Sequence, residues 1–599
     1  MDFRIYIETL CTALFLWGIG YGVYITCNHG IAKNARGQQM RRYLSAALVA
    51  ALPIAIAGTT LLQPIMLMNL FVSLAWIVTY PLLYHLTNRK VSPDYDNRMD
   101  IAMGIYLFGW LSCLSAILPY MGFIVGIIDF VLLMFPIFQI VYYIACKGCI
   151  DADGMKMLQE THYNEIIEFL RSYHPLKVLT ITVSILTMLG FCIWINEYSP
   201  LLYIQEQNIV QLLVLVSLGL FITIYLWKPN HGIFVRTGVA VLYNVVKEYV
   251  ANNKRYVQEL QQRVDNLTVS PLNEPQKKST IMMVIGESAS RDFMSAFTDV
   301  DVNTTPWMKK MMQDKEHFIL FPNAYSCGVQ TVPVLEKALT EYNQYTGGEF
   351  YTSMSIVDIA RKLGYKIHWY SNQGHLGAAD TPITLVANTS DVAKWTKQEL
   401  NKVQYDENLI DFLNEVNPEE NNLVVLHLKG SHFNFENRFP ASQRQWGVAG
   451  DNDNIVNYKN ALHYTDSVLS RFYDYGREHL NLQAMVYFSD HGCVPDRHRL
   501  PNFGGFGDTR IPLCVWMNDD YCNRHPLRAE ALRNNRKCYW TNDLAYELMC
   551  GIFDVKSNHF KEFNSLASSD YRYTREDLVA MDGRIKIKDD NWSSSVEKQ

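Results

Sequence analysis

The strongest constraint on this chain is a series of seven long apolar runs within its first 230 residues, at 5–26, 43–62, 66–87, 100–119, 121–146, 177–196 and 209–227. Each approaches the roughly 20 apolar residues that a helix needs to cross a bilayer. Long buried helices of a soluble bundle are the competing explanation. Trp and Tyr recur near the ends of the runs, however, as they do in interfacial belts. A mean hydropathy of -0.04 therefore averages a membrane-like part with a polar remainder. The first run lacks a small-residue cleavage site and is followed by further runs, so it reads as a retained anchor and not a cleaved signal. The formal net charge of -6 leaves no basic footprint for nucleic acid.

Residues 231–279 change character. Val235, Val239, Leu242, Val246, Tyr249, Val257, Leu260, Val264 and Leu267 recur at helical spacing, which predicts an amphipathic helix leaving or lying along the membrane. The polar stretch 268–279, with two prolines, reads as a linker. From Thr280, short apolar runs alternate with helical patterns. IMMVIG (281–286), KIHWYS (366–371), LVVLHL (423–428) and MVYFS (485–489) read as central parallel strands, apolar on both faces. Segments 354–363, 405–416 and 455–478 read as the helices between them. The pattern predicts a doubly wound α/β domain over 280–564 and a polar, poorly ordered tail over 565–599.

In an open parallel sheet, ligands bind beyond the carboxyl ends of the strands. Glu287, His427, His432, Asp490 and His491 all fall at or just past such ends. One His there is commonly a structural hydrogen-bonding residue, and one Asp a turn or cap. Their coincidence at several strand ends points to a site. Thr331, just before Val332-Pro333, has the look of a helix N-cap. At a helix N-terminus its hydroxyl would also sit where backbone N–H groups favour negative charge. A Thr hydroxyl needs a metal or a base to act as a nucleophile.

Taken together, VIGES with Glu287, CGVQT with Thr331, LHLKGSH with His432, and YFSDHG with Asp490 and His491 resemble the alkaline phosphatase/sulfatase superfamily. Within it they resemble the membrane phosphoethanolamine transferases of Gram-negative bacteria that modify lipopolysaccharide core or lipid A. The resemblance implies a multi-helix transmembrane domain followed by a catalytic domain of the alkaline phosphatase/sulfatase fold. It implies one zinc ion on Glu287, Thr331, Asp490 and His491, with a second zinc an open question. His432 and His498, the latter in DRHRLPNFGG, would face the transferred phosphate as catalytic residues, and Asn372 and His427 would join them in contacting substrate. The implied donor is phosphatidylethanolamine and the implied acceptor lipopolysaccharide or another envelope glycan. The implied place is a bacterial inner membrane, multi-pass, with the catalytic domain in the periplasm.

The loop charges pull against that sidedness. Lys33, Arg36, Arg41 and Arg42 mark the first loop as cytoplasmic, and Arg89 with Lys90 mark the loop after the third run. Followed through seven spans, they leave the catalytic domain in the cytoplasm. A run such as 209–227 lying in the interface would reverse this, which gives five to seven spans.

Two positions depart from the family pattern. Cys493 follows Asp-His-Gly where the family usually has Glu, and Lys337 stands where some members place a cysteine that pairs with the one in the nucleophile loop, here Cys327. A Cys327–Cys493 approach is one expectation, and a Cys522–Cys538 disulfide is another. Two further classes remain alternatives: a phosphoglycerol transferase of the lipoteichoic acid synthase type, and a non-catalytic membrane receptor with a phosphatase-like domain. A sulfatase nucleophile would need a Cys-x-Pro-x-Arg context, which CGVQT lacks.

Overall fold

The computed structural model describes residues 3–87, 95–118, 120–146, 149–150, 155, 175–198, 209–258, 260–273, 278–373, 382–397, 403–450, 453–497 and 503–591. They form two compact units, one carrying the N-terminal helices through Glu248 and one running from Tyr249 onward.

All seven apolar runs are helical: α1 (Phe3–Cys27), α2 (Lys33–Ala57), α3 (Pro64–Thr87), α4 (Asn97–Ile117), α5 (Gly122–Cys146), α6 (Pro175–Tyr198) and α7 (Ile209–Trp227). Each is long and apolar enough to cross a membrane, so the protein is a multi-pass membrane protein. Small residues set the closest crossings, because apolar burial gives helices in lipid little drive to associate. A Cβ on Gly109 of α4 would sit 2.8 Å from the Ala50 Cα of α2. The buried Asp100 carboxylate of α4 accepts the Gly238 N–H at 3.1 and 3.2 Å. That bond fixes the start of helix Gly238–Gln258, the first part of the expected amphipathic segment.

The second unit is built on a seven-stranded sheet. Its strands are β1 (Thr280–Gly286), β2 (Phe318–Leu320), β3 (Lys366–Ser371), β4 (Val392–Trp395), β5 (Asn422–His427), β6 (Leu482–Ser489) and β7 (Leu513–Met517). The order across the sheet is β2-β7-β6-β1-β5-β3-β4. The four strands read from apolar runs, β1, β3, β5 and β6, are adjacent and parallel, and β4 continues the parallel set. β7 closes the other side antiparallel to β6. Burial on both faces explains why their sequences do not alternate. In β1, Ile281, Met283 and Ile285 enter one core, while Met282 and Val284 enter the other. Helix Asn454–His479 starts on an Asp453 cap, whose carboxylate accepts the N–H groups of Ile455 and Val456. The segment expected as a helix over 405–416 is helical only from Asp406 to Leu413.

Three expectations need correction. The tail does not begin at 565: Leu566, Ala567, Leu578, Ala580 and Ile587 are buried in the core, and Val579–Ala580 pairs with Ile585–Lys586 as a hairpin. Its apolar residues are too sparse to form a periodic signal, yet each fills a core position. The linker contains a short strand, Val269–Pro271, paired with Val555–Ser557. Cys522 and Cys538 carry free thiols, so the expected Cys522–Cys538 disulfide does not form.

Candidate active site and metal centre

The parallel register sets the site. Ile285 of β1 is level with His427 of β5, and Gly286 with Ser489 of β6. The next residues, Glu287 and Asp490-His491, therefore leave the sheet side by side. Glu287, Asp490 and His491 are buried and each offers a ligand atom within 4.8 Å of the others. The His491 Nε2 lies 3.3 Å from Glu287 Oε1 and 3.2 Å from Asp490 Oδ2. Its Nδ1 is 2.7 Å from the Gly492 carbonyl, an atom that only accepts, so Nδ1 carries a hydrogen, and in the neutral ring Nε2 then presents its lone pair to a ligand. A lone pair facing two carboxylates is repulsive unless a cation lies between them. The donor set thus fits a divalent metal, and one nitrogen with several oxygens suits zinc while also accepting manganese. Among the described residues no second cluster of this kind occurs.

The surroundings hold these ligands rigidly. Asp490 Oδ1 accepts the backbone N–H of Ser288 at 2.9 Å and of His491 at 2.6 Å. Glu287 Oε1 accepts the Ser288 hydroxyl at 2.6 Å. Ser288 itself has a left-handed backbone, φ 56°, which turns the chain sharply after Glu287 and marks strain at a functional position. Tyr458 secures that turn, donating to the Ser288 carbonyl at 2.7 Å and accepting the Ser290 N–H at 2.8 Å.

Thr331 completes the arrangement, though not as a cap. The helix runs Thr331–Ala338 with Gln330 at its N-cap position and no capping side chain. Thr331 is already helical, which leaves its hydroxyl available to donate to Glu287 Oε2 at 3.0 Å. It is half-buried, so a substrate can reach it.

The remaining expected residues divide. The LHLKGSH loop folds over Glu287: Ser431 N–H donates to the Glu287 carbonyl at 2.9 Å, which brings the half-buried His432 to this end of the sheet. Gly430, at φ 51°, is required there, because a Cβ would sit 2.7 Å from the Glu287 oxygen. His427 is buried, and desolvation pulls its pKa down to about 4 against the pull of Glu287, so it is neutral. Asn372 is spent on the scaffold: its amide donates to Asp406 at 2.8 Å and its oxygen accepts from Thr396 at 2.7 Å. His498 lies outside the described residues.

Two supporting residues escaped the sequence reading. Asn542 donates to the Asp490 carbonyl at 2.6 Å and accepts the Cys327 N–H at 2.9 Å, joining the metal ligands to the nucleophile loop. Asp406, its pKa pushed up by burial, accepts the N–H groups of Lys429 and Gly430 at 2.7 and 2.9 Å and anchors the LHLKGSH loop. Neither has a local signal, since each acts through partners far away in sequence.

Residues 279–549 match the sulfatase family, so the chain carries a sulfatase-family domain. Phosphoethanolamine transferase EptC of Escherichia coli is 25% identical over 446 residues, covering 67% of this chain and 75% of that protein. The integral membrane lipooligosaccharide phosphoethanolamine transferase A of Neisseria meningitidis has the same fold: TM-score 0.53, 16% identity, 84% of this chain and 98% of that one. The C-terminal periplasmic domain of E. coli EptC, solved in complex with Zn, gives a TM-score of 0.48 at 20% identity, covering 54% of this chain and 97% of that one.

Proposed function

We propose that the protein transfers phosphoethanolamine from phosphatidylethanolamine to a lipopolysaccharide acceptor through a covalent intermediate on Thr331. The observation that carries this reading is the Thr331 hydroxyl 3.0 Å from a carboxylate of the Glu287, Asp490 and His491 cluster. The relatives named as phosphoethanolamine transferases support the transferred group, and the lipooligosaccharide named for the N. meningitidis protein supports the acceptor class.

Zinc held by Glu287, Thr331, Asp490 and His491 would supply Lewis acidity that lowers the hydroxyl pKa. Glu287 Oε2 orients the Thr331 Oγ1 through the hydrogen bond it accepts. Oγ1 attacks the donor phosphorus, the bond to the diacylglycerol oxygen breaks, and diacylglycerol leaves with a proton. An acceptor hydroxyl or phosphate oxygen then attacks the phosphorus, breaking its bond to Oγ1 and returning Thr331 to its starting state. His432 and His498 bind equatorial oxygens or move these protons. Two displacements with a covalent intermediate give ping-pong kinetics. An envelope glycan acceptor assigns this chemistry to the periplasmic face of an inner membrane.

The test is mass spectrometry of the Thr331 peptide after incubating zinc-loaded protein with phosphatidylethanolamine and no acceptor. A phosphoethanolamine adduct should form, and Thr331→Ala or chelation should abolish it. An unmodified wild-type peptide overturns the mechanism.

A further inference from the structure

The hairpin near the C-terminus, read from sequence as part of a loose tail, meets the nucleophile loop. Strand Val579–Ala580 pairs with Ile585–Lys586, and the Ile587 N–H closes onto the Leu578 carbonyl at 3.0 Å. Its tip has three consecutive left-handed residues, Met581 (φ 56°), Asp582 (φ 54°) and Gly583 (φ 81°). Two of them are not glycine, and such strain persists only where the surroundings enforce it. Here the surroundings are the segment that carries Thr331. The Met581 N–H donates to the Cys327 carbonyl at 2.7 Å. The Asp582 carboxylate lies 3.2 Å from the Lys337 ammonium, on the same helix as Thr331. The Asp582 N–H donates to Gln344 at 2.9 Å, and Gln344 donates to the Val579 carbonyl at 3.2 Å. Just past the hairpin, Asp590 accepts the Tyr325 hydroxyl at 2.9 Å and pairs with Arg510 at 2.5 Å.

These bonds touch both sides of Thr331, before it at Tyr325 and Cys327 and after it at Lys337. None of the hairpin lies within residues 279–549, the part matching the sulfatase family. We infer that hairpin 578–587 is a positioning element that sets the nucleophile loop and helix Thr331–Ala338 so that the Thr331 hydroxyl meets the metal cluster. The inference rests on the phosphotransfer reading of Thr331. The cluster of Glu287, Asp490 and His491 is set by the sheet, and the hairpin bonds reach only the segment around Thr331, so the hairpin governs nucleophile placement while those three ligands stay in place. Misplacement of a reacting group by about 1 Å costs about 100-fold in rate.

The test reverses charge at the tip. Asp582 is 59% exposed and Lys337 8% exposed, so the cation is the buried partner and the carboxylate is the one reached from the surface. Asp582→Lys sets two cations against each other, while the swap Lys337→Glu with Asp582→Lys restores attraction. Zinc content, melting temperature, KM for phosphatidylethanolamine and the rate of Thr331 labelling are measured in full-length protein. The expected result is labelling slowed about 10-fold or more in Asp582→Lys, recovery in the swap, and zinc content and KM close to wild type throughout, with melting used to show that each variant is folded. Wild-type labelling by Asp582→Lys overturns the inference, as does slowing that the swap does not relieve. If Asp582→Lys does not fold, Asp582→Asn must slow labelling for the inference to stand. A wild-type protein that forms no adduct defeats the phosphotransfer reading itself, a different result from unchanged rates in the variants.

Discussion

Gly430→Ala separates backbone strain from damage to the metal ligand. Gly430 has φ 51°, and an added Cβ would lie 2.7 Å from the Glu287 carbonyl oxygen, 2.9 Å from its nitrogen and 3.2 Å from its Cβ. The left-handed conformation alone costs a non-glycine residue about 1–2 kcal/mol. Relieving the contact needs about 0.5–1 Å of movement, and such overpacking adds about 1–3 kcal/mol. The loop is tied to Asp406 through two backbone N–H bonds, so Glu287 takes much of the displacement. Stability should fall by about 2–5 kcal/mol and Thr331 labelling by about 10- to 100-fold, with weaker zinc retention on dialysis. Gly364 supplies the control: its φ is 81°, but nothing lies within 4 Å of the place a Cβ would occupy. Gly364→Ala should cost about 1–2 kcal/mol and leave labelling and zinc unchanged. Differential scanning fluorimetry, metal analysis and the labelling assay measure all three. If Gly430→Ala behaves like Gly364→Ala, the close approach to Glu287 is not what the glycine serves.

Buried polar groups carry two further predictions. Asn542→Ala leaves the Cys327 N–H without its side-chain acceptor and removes one of two side-chain donors to the Asp490 carbonyl, the Ser326 hydroxyl being the other; the expected loss is about 1–3 kcal/mol in melting and about 10- to 100-fold in zinc affinity, and wild-type values in both would refute it. Glu547 is buried, and desolvation raises its pKa from 4.5 to about 8, so the folded state holds a proton that the unfolded state releases. The stability this confers is complete below pH 4.5 and is lost as pH rises through about 8, a swing of about 4–5 kcal/mol. Glu547→Gln should flatten that decline in melts between pH 5 and 9, and an unchanged slope would refute the assignment.

The legible and illegible parts of this fold divide along physical lines. The central strands are readable because strands buried on both faces are continuous apolar runs, and the Asp490-His491 pair stands out because it follows such a run directly. β2 and β4 lie at the sheet margins and are short, with no comparable run to mark them. Thr331-Val332-Pro333 has the composition of a capped helix start, yet the hydroxyl bonds Glu287 instead of the backbone. That competition between a local and a distant partner cannot be settled from neighbouring residues. The hairpin over 578–587 is apolar at Leu578, Val579, Ala580, Met581, Ile585 and Ile587, but it is short and set in a polar stretch, and the bonds that hold its tip reach partners more than 200 residues earlier.

This division also separates two tasks of the site. Glu287, Asp490 and His491 are placed by the register of adjacent strands, so their spacing is as stiff as the sheet itself. Thr331 is placed by side-chain and backbone bonds from Asn542 and the C-terminal hairpin, none of which belongs to the sheet. A rigid ligand set and an independently braced nucleophile suit a two-step transfer: the hydroxyl must attack, carry the group and release it while the ligands stay fixed. Substitutions in the strands should therefore lose metal and activity together, whereas substitutions at the hairpin should lose rate while metal remains.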